Sequence, residues 1–158
     1  MKRKYPTQPL VGVGAVIIHK DKILLVKRGS EPGKNRWSIP GGLVKLGEKV
    51  HDTIIREVKE ETNLDVAIHG LVDVVDNLVP DNEGRLRYHF IILDFFASPR
   101  RGTPQAGSDV LEAQWVPFNE VEAFALTGPF RDFFRKNRQM LQHLDSTFPR
   151  KTQLHHAK

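Results

Sequence analysis

Three glutamates, Glu57, Glu60 and Glu61, lie near the C-terminal end of a helix that the sequence predicts over 50–62. Side chains three or four positions apart share a helix face, so these carboxylates repel one another. The carbonyl groups of the last helical turn add further negative charge. A fold gains nothing from this crowding unless a cation binds there, and hard cations such as Mg²⁺ prefer compact arrays of oxygen ligands. The cluster therefore predicts a site for a divalent metal ion.

The helix itself is predicted from apolar periodicity. Val50, Ile54 and Val58 are spaced four apart and form one apolar stripe. The glutamates border this stripe, so we expect them at the rim of the core. Asn63 follows the helix and is the commonest residue after glycine to take the left-handed conformation that ends helices.

Length and composition favour one globular domain. The chain has 158 residues, of which 39% are hydrophobic and 27% are charged, and it contains no cysteine. Disulfides and thiolate metal ligands are therefore excluded, which is consistent with the cytoplasmic location that we expect. No apolar run is long enough for a membrane helix, and no signal-type stretch follows the basic N terminus, so no membrane partner is expected.

The net charge of +5 comes from the C-terminal part of the chain. From Arg131 onward there are seven basic and two acidic residues, which accounts for the whole surplus. This part contains no recognisable nucleic-acid-binding module, so we expect a flexible, solvated tail over 146–158 and no nucleic-acid partner. The alternative is a nucleic-acid-binding segment, whose affinity would fall steeply with salt.

Strand and helix signals follow one another without regular βαβ alternation, which predicts an α+β (mixed α/β) class. We expect an N-terminal arm over 1–10 and a single domain over 11–145. The strands are predicted at about 11–19, 22–28, 64–78, 85–97 and 110–116, with a loop over 99–108. A last helix begins near Thr127, and its aromatic stripe is typical of core packing.

The residues around the glutamates match a longer pattern. It consists of Gly42, five residues, Glu48, seven residues, the run Arg56-Glu57-Val58-Lys59-Glu60-Glu61, and the aliphatic Leu64. This pattern resembles the signature box of the Nudix hydrolases. The one departure is Asn63, where the family has glycine, and asparagine tolerates the same turn at modest cost. The resemblance covers roughly Val11 to Phe134 and implies the family's α/β/α sandwich around a mixed sheet.

The resemblance also implies roles for the matched residues. Glu57 and Glu61 would be the main metal ligands, and Glu60 would be a further ligand or the base that orients water. The carbonyl oxygen of Gly41 would supply one more ligand. An exposed helix glutamate is common, so Glu60 could instead be a solvated surface charge.

Arg56 and Glu48 would, by the same resemblance, hold the loop and the helix in register. Arg56 could also pair with Asp52, four residues earlier, and both roles can coexist. Glu48 could act only on the helix dipole.

Family members often add a carboxylate from a loop just before a late tryptophan, here Trp115. We choose Asp109, six residues ahead of it, as this further metal ligand; Glu112, three residues ahead, is the alternative. Either could be a solvated loop acid.

The stretch after the box resembles the ADP-ribose pyrophosphatases of the family. Pro80 lies 16 residues after Leu64, as in that subgroup, although a proline beside a turn needs no substrate to explain it. Candidate substrate-binding residues are Arg28, Pro80, Arg87 and Tyr88.

These resemblances imply Mg²⁺-dependent hydrolysis of a nucleoside-diphosphate-linked substrate, with Mn²⁺ able to substitute. The small-molecule substrate we expect is ADP-ribose, cleaved to AMP and ribose 5-phosphate, and the assembly we expect is a homodimer. One alternative is a house-cleaning (d)NTP pyrophosphohydrolase. The other is a nucleotide-sensing regulator that does not hydrolyse its ligand.

Overall fold

The computed structural model describes residues 2–147, with side chains described up to residue 144. The predicted tail over 146–158 lies almost wholly outside the described residues. The strands are β1 (Leu10–His19), β2 (Lys22–Arg28), β3 (Trp37–Ser38), β4 (Gly41–Leu43), β5 (Asp65–Pro80), β6 (Leu86–Arg101) and β7 (Val110–Pro117). The helices are α1 (Val50–Thr62), a short 3-10 helix (Phe118–Ala123) and α2 (Gly128–Thr147).

The first two strands form the predicted hairpin. They pair antiparallel, with Ile18 opposite Ile23. Lys20 and Asp21 both have positive φ, at 53° and 63°, which is the turn geometry that matches the twist of a two-residue hairpin. The hairpin therefore follows from local sequence.

The sheet is mixed, as predicted. Its strand order is β3-β2-β1-β6-β5, with β4 paired to β1 and β7 paired to β2. Among the pairs of strands named above for residues 2–147, β1 and β6 run parallel and the other five pairs are antiparallel. Strand β4 therefore pairs with the first half of β1, and β2 pairs with its end. This places Gly41 and Gly42 of β4 next to the centre of the sheet.

One helix packs on each face of the sheet, which confirms the predicted sandwich. Alternate residues of β1 point to opposite faces. One face packs against Ile54 and Val58 of α1, and the other packs against Phe130, Phe133 and Phe134 of α2. Each of these buried side chains contributes roughly 1.5–3 kcal/mol of burial free energy.

The opposite surface of α2 is charged. Its exposed positions include Arg131, Arg135 and Lys136, while its aromatic stripe is buried as predicted. No helix within residues 2–147 is long and apolar enough to cross a membrane.

Strands β5 and β6 are longer than the sequence predicted. The predicted loop over 99–108 begins later, because β6 continues through Pro99 to Arg101. Proline lacks the N–H that a strand ladder needs. Pro99 is accommodated because it pairs with Val66 where the register shifts between Asp65 and Val66.

Candidate active site

Helix α1 ends where the sequence predicted. Asn63 takes the left-handed conformation, with φ of 67°, and its backbone N–H bonds to the carbonyl oxygen of Lys59. Asparagine therefore fills the position at which the family has glycine, and the chain turns into β5.

Arg56 and Glu48 form a two-pronged ion pair. Arg56 Nε lies 2.7 Å from Glu48 Oε2, and its Nη2 lies 2.9 Å from Oε1. The hydroxyl of Thr53 also donates to Oε1, at 2.8 Å. The hydrogen bonds from Arg56 are the main cause that lowers the pKa of Glu48 to about 2, so this carboxylate is ionised at neutral pH. The pair joins α1 to the loop that precedes it.

The same guanidinium also reaches the first candidate metal ligand. Arg56 Nη1 lies 2.6 Å from Glu57 Oε1, and Nη2 donates to the carbonyl oxygen of Leu43 at 3.3 Å. Burial nevertheless raises the pKa of Glu57, against the opposing effect of Arg56. Glu57 is thus held beside β4 in an environment that disfavours an unneutralised charge.

Glu61 is the most buried of the three glutamates, with 8% of its surface exposed. Its Oε1 accepts a hydrogen bond from the backbone N–H of Gly41 at 2.9 Å. Burial, followed by repulsion from Glu57 and Asp109, raises the pKa of Glu61 to about 8. A buried carboxylate in negative surroundings is stabilised by a bound cation or by a proton.

The loop after β6 docks on the end of α1. The N–H of Gln105 donates to the carbonyl oxygen of Thr62 at 2.9 Å, and that of Gly107 donates to the carbonyl oxygen of Glu61 at 3.1 Å. These bonds satisfy helix carbonyls that would otherwise lack partners. They also direct the chain back towards the glutamates.

Asp109 follows this docked segment. It lies in the wall of the cavity that contains Glu61, and its Oδ2 accepts a hydrogen bond from the hydroxyl of Ser30 at 2.8 Å. The alternative, Glu112, lies on β7 outside this wall and pairs with Lys27 at 3.6 Å. Between the two candidates, the tertiary structure brings Asp109 to the site.

These acids supply the oxygen donors that a hard cation prefers, but they do not form a finished cage. Within the described part of the chain, no three Asp, Glu or His side chains are arranged so that they could hold one ion. Glu57 is paired with Arg56, and Glu61 is bonded to Gly41. The donor set fits a hard cation such as Mg²⁺ in its chemistry, while two of its carboxylates are engaged in these hydrogen bonds.

A cavity of about 640 Å³ opens beside the acids. This volume is within the range of small-molecule sites. The acidic part of its wall is Glu57, Glu60, Glu61, Asp94 and Asp109, and the basic part is Arg3, Arg28, Arg36 and Lys45. An apolar part is formed by Val75, Val79, Phe90, Ile92 and Phe130. The cavity thus places basic side chains and candidate metal-ligand oxygens beside an apolar surface on which an aromatic ring could pack.

Only one of the four predicted substrate-binding residues lies in this wall. Arg28 lies in the wall, and its Nε donates a hydrogen bond to the carbonyl oxygen of Pro32 at 2.7 Å. Tyr88 is buried and stacks on Phe90, with ring centroids 5.8 Å apart. Phe90, two residues further along β6, lines the cavity.

Pro80 and Arg87 lie at the end of the β5–β6 hairpin, outside the cavity wall. The N-terminal arm contacts this end. The N–H of Tyr5 donates to the carbonyl oxygen of Arg87 at 2.7 Å, and its hydroxyl donates to Asp81 Oδ2 at 2.8 Å. Through these contacts the hairpin anchors an arm whose Arg3 lines the cavity.

Sequence reasoning missed several wall residues. Arg3 and Arg36 belong to no motif, Lys45 occupies a variable position of the signature box, and the three line one cavity only in the folded chain. Asp94 is different, because it is recognisable in the sequence as the only charged residue in the apolar run 90–97.

Comparison with known proteins identifies the family of the chain. A Nudix domain family model matches residues 8–138. The chain is 36% identical over 117 residues to the ADP-ribose pyrophosphatase of Methanocaldococcus jannaschii, covering 74% of this chain and 67% of that protein.

Solved structures show the same fold. The MutT NUDIX hydrolase from Burkholderia pseudomallei is 29% identical with a TM-score of 0.68, over 78% of this chain and 94% of that one. The NUDIX domain of Shewanella oneidensis NrtR, solved with ADP ribose, is 23% identical with a TM-score of 0.69, over 85% of this chain and 90% of that one, a likeness that shows the fold alone. Because the family model spans most of the chain and the signature residues are in place, the chain belongs to the Nudix family of pyrophosphohydrolases, which act on diphosphate bonds.

Proposed function

We propose that this protein hydrolyses ADP-ribose to AMP and ribose 5-phosphate with the help of Mg²⁺, for which Mn²⁺ can substitute. The observation that carries the proposal is a single cavity whose wall combines five acids, four basic side chains and an apolar surface. A dianionic diphosphate needs acids that bind a metal ion and basic side chains that contact its oxygens, and a nucleoside packs on the apolar surface. The similarity to the ADP-ribose pyrophosphatase of M. jannaschii supports this choice of substrate.

Glu57, Glu61 and Asp109 would hold the metal ion, with Glu60 and the Gly41 carbonyl oxygen as further ligands. When bound, Mg²⁺ would neutralise charge on the diphosphate oxygens and lower the pKa of a water molecule. Burial of Glu61 favours this role, since a cation relieves the cost of its charge.

Glu60 is our candidate for the base that accepts a proton from the attacking water. The side chain of Glu60 is 46% exposed, against 15% for Glu57. Its ion pair with Arg56 is long, with 3.4 Å between Glu60 Oε2 and Arg56 Nη1. It is therefore the glutamate that solvent reaches most easily. Arg56 and Glu48 would act as positioning residues, because their ion pair joins α1 to its preceding loop.

Arg28 and Arg36 would orient the diphosphate. Both lie in the cavity wall, and Arg28 is close enough to Glu61 and Asp109 for their charges to affect its pKa, which burial lowers. A guanidinium can contact phosphate oxygens in two places at once, which fixes the direction of the P–O–P bond.

A house-cleaning (d)NTP pyrophosphohydrolase is the second candidate, supported by the likeness to the MutT NUDIX hydrolase of B. pseudomallei. A non-hydrolysing regulator is disfavoured because every glutamate of the signature box is present. The homodimer is an expectation of the family resemblance, and light scattering on the purified protein would measure it.

A substrate panel tests the proposal. ADP-ribose, NADH, dinucleoside polyphosphates and nucleoside triphosphates would be compared with Mg²⁺, Mn²⁺ or EDTA, and products separated by chromatography. We expect the highest kcat/KM with ADP-ribose, equimolar AMP and ribose 5-phosphate, and loss of activity in EDTA. Absent activity on ADP-ribose, or activity equal to that on the other substrates, would remove the assignment.

A further inference from the structure

Asp94 is a buried acid that the proposed chemistry does not use. It lies on β6, is 4% exposed, and forms part of the cavity wall. Its Oδ1 is fully covered and has no hydrogen-bond partner; among the described side chains it is the only buried polar atom in this state. Buried polar atoms are nearly always paired in folded proteins, so this exception needs a reason.

The fold makes room for this carboxyl group. Gly14 on β1 is the neighbour of Asp94 in the sheet. A Cβ at Gly14 would lie 2.2 Å from Asp94 Oδ1 and 2.9 Å from Ile39 Cδ1. The absence of a side chain at position 14 is therefore what allows the carboxyl group to fit between β1 and the cavity.

Burying the carboxyl group of Asp94 at this position also costs free energy. Burial, with a smaller contribution from Asp73 on the opposing strand, raises the pKa of Asp94 to about 7. The carboxylate of Asp73 is paired with Lys136 and Asn137 at 3.2 and 3.0 Å, whereas Asp94 is not paired. An apolar side chain would fill the same space at lower cost, because it has no polar atoms to leave unbonded.

The position of Asp94 relative to the acidic wall defines what it can reach. In the sheet, Asp94 neighbours Gly14, and Gly14 neighbours Gly41, whose N–H is bonded to Glu61. The backbones of Asp94 and Gly41 are two strand spacings apart, about 10 Å, and the carboxyl group of Asp94 lies over Gly14 between them. A ligand whose diphosphate lies at the acidic wall would therefore bring its sugar or its base within reach of this carboxyl group.

We propose that Asp94 is a specificity-determining residue that accepts a hydrogen bond from an O–H or N–H group on the non-phosphate part of a nucleoside diphosphate derivative. The ligand class rests on the proposed function. The donor is either a sugar hydroxyl or an amino group of the base, which share the same chemistry towards a carboxylate. Binding supplies the partner that the described residues do not provide.

Calorimetric affinities test the proposal without requiring turnover. The ligands are AMP, purine riboside 5′-monophosphate, which lacks the amino group of adenine, and ribose 5-phosphate. The variants are Asp94→Asn, which keeps the shape, and Asp94→Ala, which removes both oxygens. The matched control is Asp76→Asn, an exposed aspartate on β5 outside the cavity wall.

We expect Asp94→Ala to bind AMP about tenfold more weakly, the effect of losing one hydrogen bond to a charged group, and Asp94→Asn to bind it more weakly than the wild type because a neutral acceptor replaces a charged one, with the control unchanged. If the base donates, the wild type prefers AMP to purine riboside 5′-monophosphate and the variants lose that preference. If a sugar hydroxyl donates, the variants lose affinity for both nucleotides alike. Wild-type affinity for all three ligands in both variants, or no binding of any of them to the wild type, overturns the proposal.

A second measurement separates a ligand-binding role from a structural one. Because asparagine replaces a buried, unpaired charge by a neutral amide, we expect the Tm of Asp94→Asn at pH 8 to be equal to or above that of the wild type. A clear fall in the Tm of both variants would assign a structural role and also overturn the proposal. If the wild type binds the nucleotides as predicted but hydrolyses no member of the substrate panel, the proposed function fails while the role of Asp94 stands.

Discussion

The carboxyl carbon of Glu57 lies so close to Gly42 that a Cβ at position 42 would be 2.3 Å from it. The first glycine of the signature box therefore provides the space in which a candidate metal ligand sits. Glycine is needed here for a close approach.

Gly42→Ala tests this relationship. The added methyl group must displace Glu57, and because a displacement of about 1 Å in an active site can cost about 10²-fold, we expect kcat/KM to fall by that order. Steady-state assays with the preferred substrate measure it. Gly70→Ala is the control, since a Cβ at Gly70 would meet nothing within 4 Å. Equal activity of the two variants would contradict the prediction.

Arg56→Lys tests the positioning pair. Lysine cannot make the two bonds to Glu48 together with those to Glu57 and Leu43. We expect the free energy of unfolding to fall by about 1–3 kcal/mol, and activity to fall with it.

Urea unfolding and kinetics would both be recorded for this variant. Arg131→Lys is the control, because Arg131 forms an exposed contact with Asp132, 3.4 Å away. If Arg56→Lys proved as stable and as active as the control, the positioning role would be excluded.

Glu61→Gln should remove turnover and leave the fold intact. Glutamine keeps the shape and can still accept the hydrogen bond from Gly41, but it cannot supply a charged metal ligand. We expect kcat to fall by about 10²–10⁴-fold, while circular dichroism stays unchanged. Glu120→Gln, an exposed position in the 3-10 helix, is the control. Hydrolysis at the wild-type rate would refute the mechanism.

Metal binding should depend on pH. Burial raises the pKa of Glu61 to about 8 in the metal-free protein, so at neutral pH a metal ion must displace a proton. Affinity for Mg²⁺ should therefore rise between about pH 6 and pH 8. Titration followed by the Tm at several pH values measures this, and Glu61→Gln should show a flatter dependence. An affinity that is constant over this range would contradict the prediction.

Asp94 should make stability depend on pH in the direction opposite to that of an ordinary ion-paired aspartate. Its pKa is about 7 in the folded chain, raised from an ordinary value of 3.8 by burial, so the folded state binds the extra proton between these values. The free energy of unfolding therefore falls as the pH rises through this window.

The stability of Asp94→Asn relative to the wild type should accordingly increase between about pH 5 and pH 8, because asparagine carries no such proton. Urea unfolding at both pH values measures the difference. A difference that does not change with pH would show that Asp94 ionises normally in the folded protein.

Local parts of the fold were predictable from the sequence because they depend on neighbouring residues. The bounds of α1 follow from the stripe of Val50, Ile54 and Val58 and from Asn63 after it. The hairpin of β1 and β2 follows from two apolar runs around Lys20 and Asp21. The end of β6 was placed too early, because the pairing of Pro99 depends on a register shift in its partner strand.

The class of chemistry was recognisable from local sequence, since the signature box lies within 24 consecutive residues, 41–64, and helical periodicity places its glutamates together at the end of α1. Tertiary structure decided the rest of the site. It brought Asp109 to the glutamates in place of Glu112, left Tyr88 outside the cavity wall, and placed Asp94 two strands from Gly41. These relationships join residues far apart in the chain, and the strand order and register that bring them together are set only when the whole core packs.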